Sequence, residues 1–279
     1  MITSYAQNLE DVVLFRAFEN LETGFYIDIG ANDPVTDSVT KLFYDNGWRG
    51  INIEPAKNWF DKLKADRSRD ICLNIAISDE IGAAPFHDIE SSGLSTLLGD
   101  VAERHDSLGL ARAVYDVQTQ TLARICEQHA AETIHFLKID VEGAEEKVLR
   151  GADFARFRPW VVLVEATEPL SNQLSHFGWD PILIGADYEF VLFDGLNRFY
   201  VAEEKAELKP CFAMKGDAYR TIESIWTLGY WQRIAAEREA EIERLREQAN
   251  AAQVELSKIK ATRLWRAREK LLGGVGKAS

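Results

Sequence analysis

Cysteine is scarce in this chain. The three present, Cys72, Cys126 and Cys211, are odd in number, widely spaced and form no CxxC pair. A structural zinc cluster or a disulfide framework is therefore not expected, and a reducing compartment fits best. The five histidines, at 87, 105, 129, 135 and 176, make neither HxxxH nor HExxH. His135 opens an apolar run at the end away from any ligand side and reads as structural, while His87 and His105 remain candidate bases. No glycine-rich GxGxxG turn, GKS or GKT loop, or GxSxG elbow occurs, which lowers dinucleotide, nucleoside-triphosphatase and serine-hydrolase readings. Positive charge is also short: a net charge of −13 argues against nucleic acid as a partner. No run of 18 apolar residues is present, so no membrane-spanning helix is expected. Asn8, Glu10 and Asp11 stand where a secretory leader would need apolar residues.

What is present is a rhythm. Nearly continuous apolar stretches at 25–30, 50–54, 70–78, 134–141 and 160–166 alternate with helical patterns near 36–46, 56–66, 121–130 and 143–150. Strands that are apolar on both faces, separated by helices, predict a doubly wound, mostly parallel α/β sheet. YEFVLFDG (188–195) and NRFYVAEE (197–204) predict a C-terminal antiparallel hairpin at the sheet edge. An insertion at 82–118 breaks the rhythm and reads as a substrate lid.

Acids cluster at the predicted strand ends, where open α/β sheets place ligands. Asp28 ends the first strand, ahead of Gly30 and Asn32. Gly30 would let a ligand approach the backbone closely. Glu54 ends the second strand and suits ribose hydroxyls, although an acid before Pro55 can also serve a helix start. Ser78 and Asp79 follow the third strand, where an adenine edge could be read or a turn capped. Asp140, Glu142 and Glu165 end the fourth and fifth strands. They could orient or deprotonate a substrate hydroxyl, or hold a divalent cation, which is allowed by these residues but not predicted.

The order SYAQNLEDV (4–12), YIDIGANDP (26–34), FYDNGWRGINIEP (43–55), FLKIDVEGAEEKVLRG (136–151), VLVEA (162–166) and FDGLNRFYV (193–201) resembles the FkbM-type methyltransferases, over roughly residues 3–205. The resemblance implies a class I methyltransferase sheet, S-adenosylmethionine as cofactor and methyl transfer to oxygen. It further implies a glycan or sugar-nucleotide acceptor in bacterial surface-polysaccharide assembly; a helical stalk at 228–266 could then set where along a growing glycan methylation occurs, the chain end included. Carried over by position, Asp28, Gly30 and Asn32 would flank the methionine part of the cofactor. Glu54 would hold its ribose, Asp140 and Glu142 would face the reacting centre, and Tyr5 and Gln7 would help close the site. Ala123 stands where the family commonly has an acid, which implies a lost helix cap.

These features divide the chain into a methyltransferase domain at 1–221, a coiled coil at 222–266 and a basic tail at 267–279. Leu228, Ala235, Ile242, Ala249 and Leu256 fall on one heptad seam, and Trp231, Leu245, Ala252 and Ile259 on the other. Self-association through 228–266 is expected, as dimer or trimer. Residues 258–279 carry seven Lys/Arg against one Glu and include Trp265, Leu271 and Leu272. That composition suits peripheral attachment to the cytoplasmic face of an anionic membrane, beside glycosyltransferases. The competing readings are a non-catalytic coiled-coil scaffold of a glycan-assembly complex and, with its glycines missing, an NAD-linked oxidoreductase.

Overall fold

The computed structural model describes residues 2–89, 93–107, 112–131, 133–171, 173–213 and 222–224, with 244–246, 253–254 and 258. The chain falls into two compact units, 1–225 and 226–279. The first contains β1 (Ile2–Ser4), α1 (Glu10–Ala17), β2 (Phe25–Ile29), α2 (Lys41–Asp45), β3 (Arg49–Ile53), α3 (Lys57–Asp66), β4 (Ile71–Leu73), β5 (Ala76–Ile77) and β6 (Gly82–Ile89). It continues with α4 (Gly99–Ser107), β7 (Arg112–Gln120), α5 (Leu122–His129), β8 (Phe136–Ile139), α6 (Glu145–Arg150), β9 (Val161–Glu165), α7 (Asp180–Gly185), β10 (Tyr188–Phe193), β11 (Asn197–Ala202) and β12 (Ile222–Ser224). Residues 244–246, 253–254 and 258 of the second unit are helical. The remainder of the heptad segment 228–266, and the tail 267–279, lie outside the described residues.

The main sheet has seven strands in the order β10-β11-β9-β8-β2-β3-β4. β4, β3, β2, β8 and β9 run parallel, and β11 and β10 form the expected antiparallel hairpin against β9. The chain builds outward from β2 in one direction through β3 and β4, and returns to its other side with β8 and β9. The switch point therefore lies between β2 and β8, and a crevice opens at their carboxyl ends.

Each parallel strand is apolar on both faces because both are covered. Ile27, Ile51, Leu137 and Val162 pack on one side with Leu122, Ile125 and Val148 of α5 and α6. Tyr26, Phe136, Val161 and Leu163 pack on the other with Val13 and Leu14 of α1 and Phe43 of α2. At the amino end, Trp48 sits among Phe18, Phe43, Phe136 and His135. His135 accepts the Phe25 N–H at 3.0 Å, which is the structural role expected of it.

Three expectations are corrected. The stretch 70–78 is not one strand. Asn74 donates its amide to the carbonyls of Glu54 and Pro55, at 2.9 and 2.8 Å, and turns the chain out of the sheet. β5 then joins a separate three-stranded sheet with β7 and β6. The insertion is consequently a hairpin of strands as well as a helix. The helix cap is not lost at Ala123, because Thr121 Oγ1 accepts the Arg124 N–H at 3.3 Å. Residues 222–224, with which the coiled-coil segment was expected to begin, are the strand β12, paired in parallel with β1.

Candidate active site

The row of residues that ends β3, β2 and β8 on one sheet face is polar where the rest of that face is apolar. Register places Asn52 beside Asp28, and Asp28 beside Lys138. Lys138 is buried. Its Nζ donates to the Gly30 carbonyl at 2.9 Å and lies 3.4 Å from Asp28 and 3.2 Å from Asp140. Burial opposes its charge, but the two carboxylates outweigh burial and raise its pKa. Asp28 also accepts from Thr40 Oγ1 at 2.9 Å. Asp28 is 1% exposed and does not line the cavity at the strand ends. Its expected place beside a cofactor is thus exchanged for one behind it, as a counter-charge to Lys138.

That cavity is lined by Gly30, Asn32, Glu54, Asp140, Glu142 and Gln7, six of the predicted site residues. Its remaining wall includes Trp59, Ile77, Phe86 and Leu97. Glu54 is placed by its own turn. Its two carboxylate oxygens accept the Asn32 N–H at 2.9 Å and the Ala56 N–H at 2.7 Å, so it serves the helix start as well as facing the cavity. Asn32 Oδ1 and Trp59 Nε1 are buried without a hydrogen-bond partner. Gly30 has φ +76°, and a Cβ there would lie 1.7 Å from the Asp140 carbonyl oxygen. The glycine is required first by contact between two strand ends, whatever approaches from outside.

Ser78 and Asp79 are not part of this wall. Ser78 Oγ donates to Asp79, and the Ser78 carbonyl packs so closely on Gly151 that a Cβ there would come within 2.3 Å. Tyr5 also lies off the cavity, with its hydroxyl against Asp45 of α2. Gln7 differs because the segment around it is held from both sides. Asp11 accepts from Ser4 Oγ and the Tyr5 N–H, each at 2.7 Å, and Glu10 accepts from Asn197 Nδ2 of β11 at 2.8 Å.

A second cavity adjoins the first and shares Gln7, Gly93 and Glu142 with it. Its walls include Glu165, Thr167, Glu168 and Ser171. Asp140, Glu142 and Glu165 each bring a carboxylate oxygen within 4.8 Å of the other two. Glu142 holds an unusual conformation for a non-glycine residue, φ +54°, which costs about 1–2 kcal/mol. Two contacts impose it. Thr96 Oγ1 of the insertion donates to its carbonyl at 2.8 Å, and Glu145 accepts from the Val141 and Gly143 N–H groups on either side at 3.2 and 3.0 Å. Burial, then the neighbouring Asp140, pushes the pKa of Glu142 and Glu165 well up. Sequence reasoning passed over Lys138, Glu145 and Thr96. The signal for Lys138 was one cation inside a buried apolar run.

Burial also raises Glu10 to about 8, and Glu54 and Glu145 to about 7, from an ordinary value of 4.5. Between pH 4.5 and 8 the folded chain thus binds more protons than the unfolded one. Stability is expected to fall as pH rises through that window. We expect the free energy of urea unfolding to be lower at pH 8 than at pH 5 by several kcal/mol, since each pH unit by which burial raises a carboxyl is worth about 1.4 kcal/mol. Glu54→Gln should shrink that difference. A flat or rising profile would contradict the burial of these acids.

No curated protein matches the chain. Among solved structures, one that matches is the complex of Trm1 from Pyrococcus horikoshii with S-adenosyl-L-methionine, at 16% identity and a TM-score of 0.32. The alignment covers 72% of this chain and 56% of that one, so the chain spans little more than half the length of that structure. The methyltransferase FkbM domain matches residues 28–191. This stretch runs from the end of β2 through the crevice acids to β10 and takes in more than half of the sequence. The chain belongs to the FkbM family of methyltransferases.

Proposed function

We propose that the chain transfers a methyl group from S-adenosylmethionine to a sugar hydroxyl, on a glycan or sugar nucleotide of bacterial surface-polysaccharide assembly. The observation that carries this reading is the pair of adjoining cavities that meet at Glu142 and Gln7. The first combines Glu54, Asp140 and Glu142 with an apolar wall of Trp59, Ile77, Phe86 and Leu97, and the second carries Glu142, Glu165 and Glu168 with the hydroxyls of Thr167 and Ser171.

The first cavity fits the cofactor. Two buried polar atoms there, Asn32 Oδ1 and Trp59 Nε1, lack partners among the described residues. Glu54 would hold the ribose, while Gly30 and Asn32 would flank the methionine part. Ile77, Phe86 and Leu97 would enclose the base, in place of Ser78 and Asp79. When bound, the cofactor supplies a methyl group already activated on a sulfonium.

The protein's task is then alignment and late removal of one proton. Gln7 and Glu142 stand between the cavities and would position the acceptor hydroxyl. The cluster of Asp140, Glu142 and Glu165 would take up the proton. Burial raises the carboxyls of Glu142 and Glu165, which brings them nearer the neutral range that suits proton transfer. Lys138 holds Asp140 in place from behind. The insertion acts as the lid. Thr96 fastens it to Glu142, and Arg104 of α4 reaches Glu168 at 3.7 Å across the second cavity's wall.

The C-terminal segments complete the proposal. Heptads at 228–266 self-associate as dimer or trimer, and the +6 charge of residues 258–279 holds the assembly on the anionic inner face of the cytoplasmic membrane, near its glycosyltransferases. Among the described residues no helix is long and apolar enough to cross a membrane.

Calorimetric titration with S-adenosylmethionine tests the core of the reading. The full-length protein should bind, and Glu54→Ala should weaken binding by about tenfold or more, about 1.4 kcal/mol, since a charge-assisted hydrogen bond to ribose is lost. Labelled methyl groups should then pass from the cofactor into a glycan extract. Folded protein that gives no heat at millimolar cofactor would sink the proposal.

A further inference from the structure

We propose that Asp140, Glu142 and Glu165 form a binding site for a divalent cation of the magnesium or manganese class, which presents the acceptor's hydroxyl oxygens. The inference rests on the functional reading above for the identity of the acceptor, but not for the binding of the ion.

Geometry is the first support. Three carboxylates from two neighbouring strand ends each turn one oxygen into a space where these oxygens lie within 4.8 Å of one another. Hard cations with metal–oxygen distances of 2.0–2.6 Å set their ligands at such separations. Neighbouring ligands lie about 3 Å apart and opposite ones about 4–5 Å apart.

A second observation points to a guest there. Glu165 is only 8% exposed, and its Oε2 is buried without a hydrogen-bond donor among the described residues. Glu142 Oε2 is also buried and without a donor. Buried carboxylate oxygens find donors or cations in nearly all folded proteins. The side chain that meets Glu165 is another acid, Asp140, and among the described residues no basic side chain fills this role. Lys138, the nearby cation, is engaged by Asp28, Asp140 and the Gly30 carbonyl. The second cavity's described lining contains no Lys, Arg or His.

Charge complementarity is the third support. Lys138 is shared between Asp140 and Asp28, so the place where three carboxylates meet is better matched by a divalent ion than by a single amine. The strained φ of Glu142 and its clamp by Thr96 hold one ligand in place before the ion arrives. Three protein oxygens leave open coordination positions, which suit two adjacent hydroxyl oxygens of a sugar.

The test uses the full-length protein after chelator treatment, in 0.15 M salt at pH 7.5. Manganese(II) binding is followed by electron paramagnetic resonance, without cofactor or acceptor. One ion per chain is expected, with Kd below about 1 mM, and magnesium should compete. Glu165→Gln and Glu142→Gln should each raise Kd about tenfold or more. Asp61→Asn, on the exposed face of α3, should leave it unchanged. Far-UV circular dichroism and urea unfolding report whether each variant is folded. Manganese should also raise the Tm of the unaltered protein, a reading independent of any variant. No binding at millimolar manganese overturns the proposal, as does equal weakening by Asp61→Asn, which would mark adsorption to an acidic surface. If manganese binds and S-adenosylmethionine does not, the functional reading fails while the ion site stands; the reverse leaves the functional reading intact and removes the site.

Discussion

Gly30→Ala is expected to cost on the order of 4 kcal/mol or more of folding stability, enough to leave little native protein at 37 °C. Two effects combine. The residue sits at φ +76°, where an alanine is strained by about 1–2 kcal/mol. The new Cβ would also stand 1.7 Å from the Asp140 carbonyl oxygen and 2.9 Å from its carbon. Both are backbone atoms at the end of a central strand and cannot swing aside as a side chain would. Relief requires β2 and β8 to separate, which disturbs the hydrogen bond from Lys138 to the Gly30 carbonyl. Gly195→Ala is the control. It shares the positive φ, at +102°, but nothing lies within 4 Å of its Cβ, so it should lose only the strain. Urea unfolding of the two variants should separate them by at least about 2 kcal/mol. Equal losses would show that the strand ends are not in contact.

Lys138→Met should destabilise the domain by about 3–5 kcal/mol, the range for removing one partner of a buried ion pair. Methionine fills most of the volume, so the loss is electrostatic rather than a cavity. Asp28, 1% exposed, would keep a buried charge with only Thr40 to donate to it. Asp140 is 35% exposed, and water would screen much of its share. Asp28→Asn in the same chain should therefore restore a large part of the stability, while Asp140→Asn should restore less. If Asp28→Asn restores nothing, the pairing read from register is wrong.

Lys138 also shows where sequence reading stops. The strands at 25–30, 50–54, 134–141 and 160–166 were legible because each is covered on both faces, and an apolar run records that directly. Lys138 sits in such a run as a single exception. Its meaning depends on Asp28, more than a hundred residues earlier, and only the pairing of β2 with β8 brings the two together. The strands β6 and β7 were missed for the opposite reason. Much of β7 is exposed and shows no continuous apolar signal. The break within 70–78 turned on one amide, Asn74, whose partners belong to another turn. Among the site residues, the acids at strand ends could be read from position alone, since a parallel sheet delivers every carboxyl end to one side. Ser78 and Asp79 failed that logic because the chain had already left the sheet. Glu145 was passed over because its grip on the Val141 and Gly143 amides is visible only once the turn is folded.

The parallel pairing of Ile2–Ser4 with Ile222–Ser224 gives the first unit a mechanical property. Parallel strand pairing joins the start of this unit to residues 222–224, and Gln7 stands three residues beyond Ser4. Tension applied to the chain after Ser224 would be delivered first to β12, then across the ladder to β1, and from there to the segment that separates the two cavities. Shortening the protein to residue 221 removes one side of that pairing and slackens the same segment, although every residue facing the cavities is retained. The N-terminal motif is thus anchored at one end by Asp11 and at the other by a strand that arrives more than two hundred residues later.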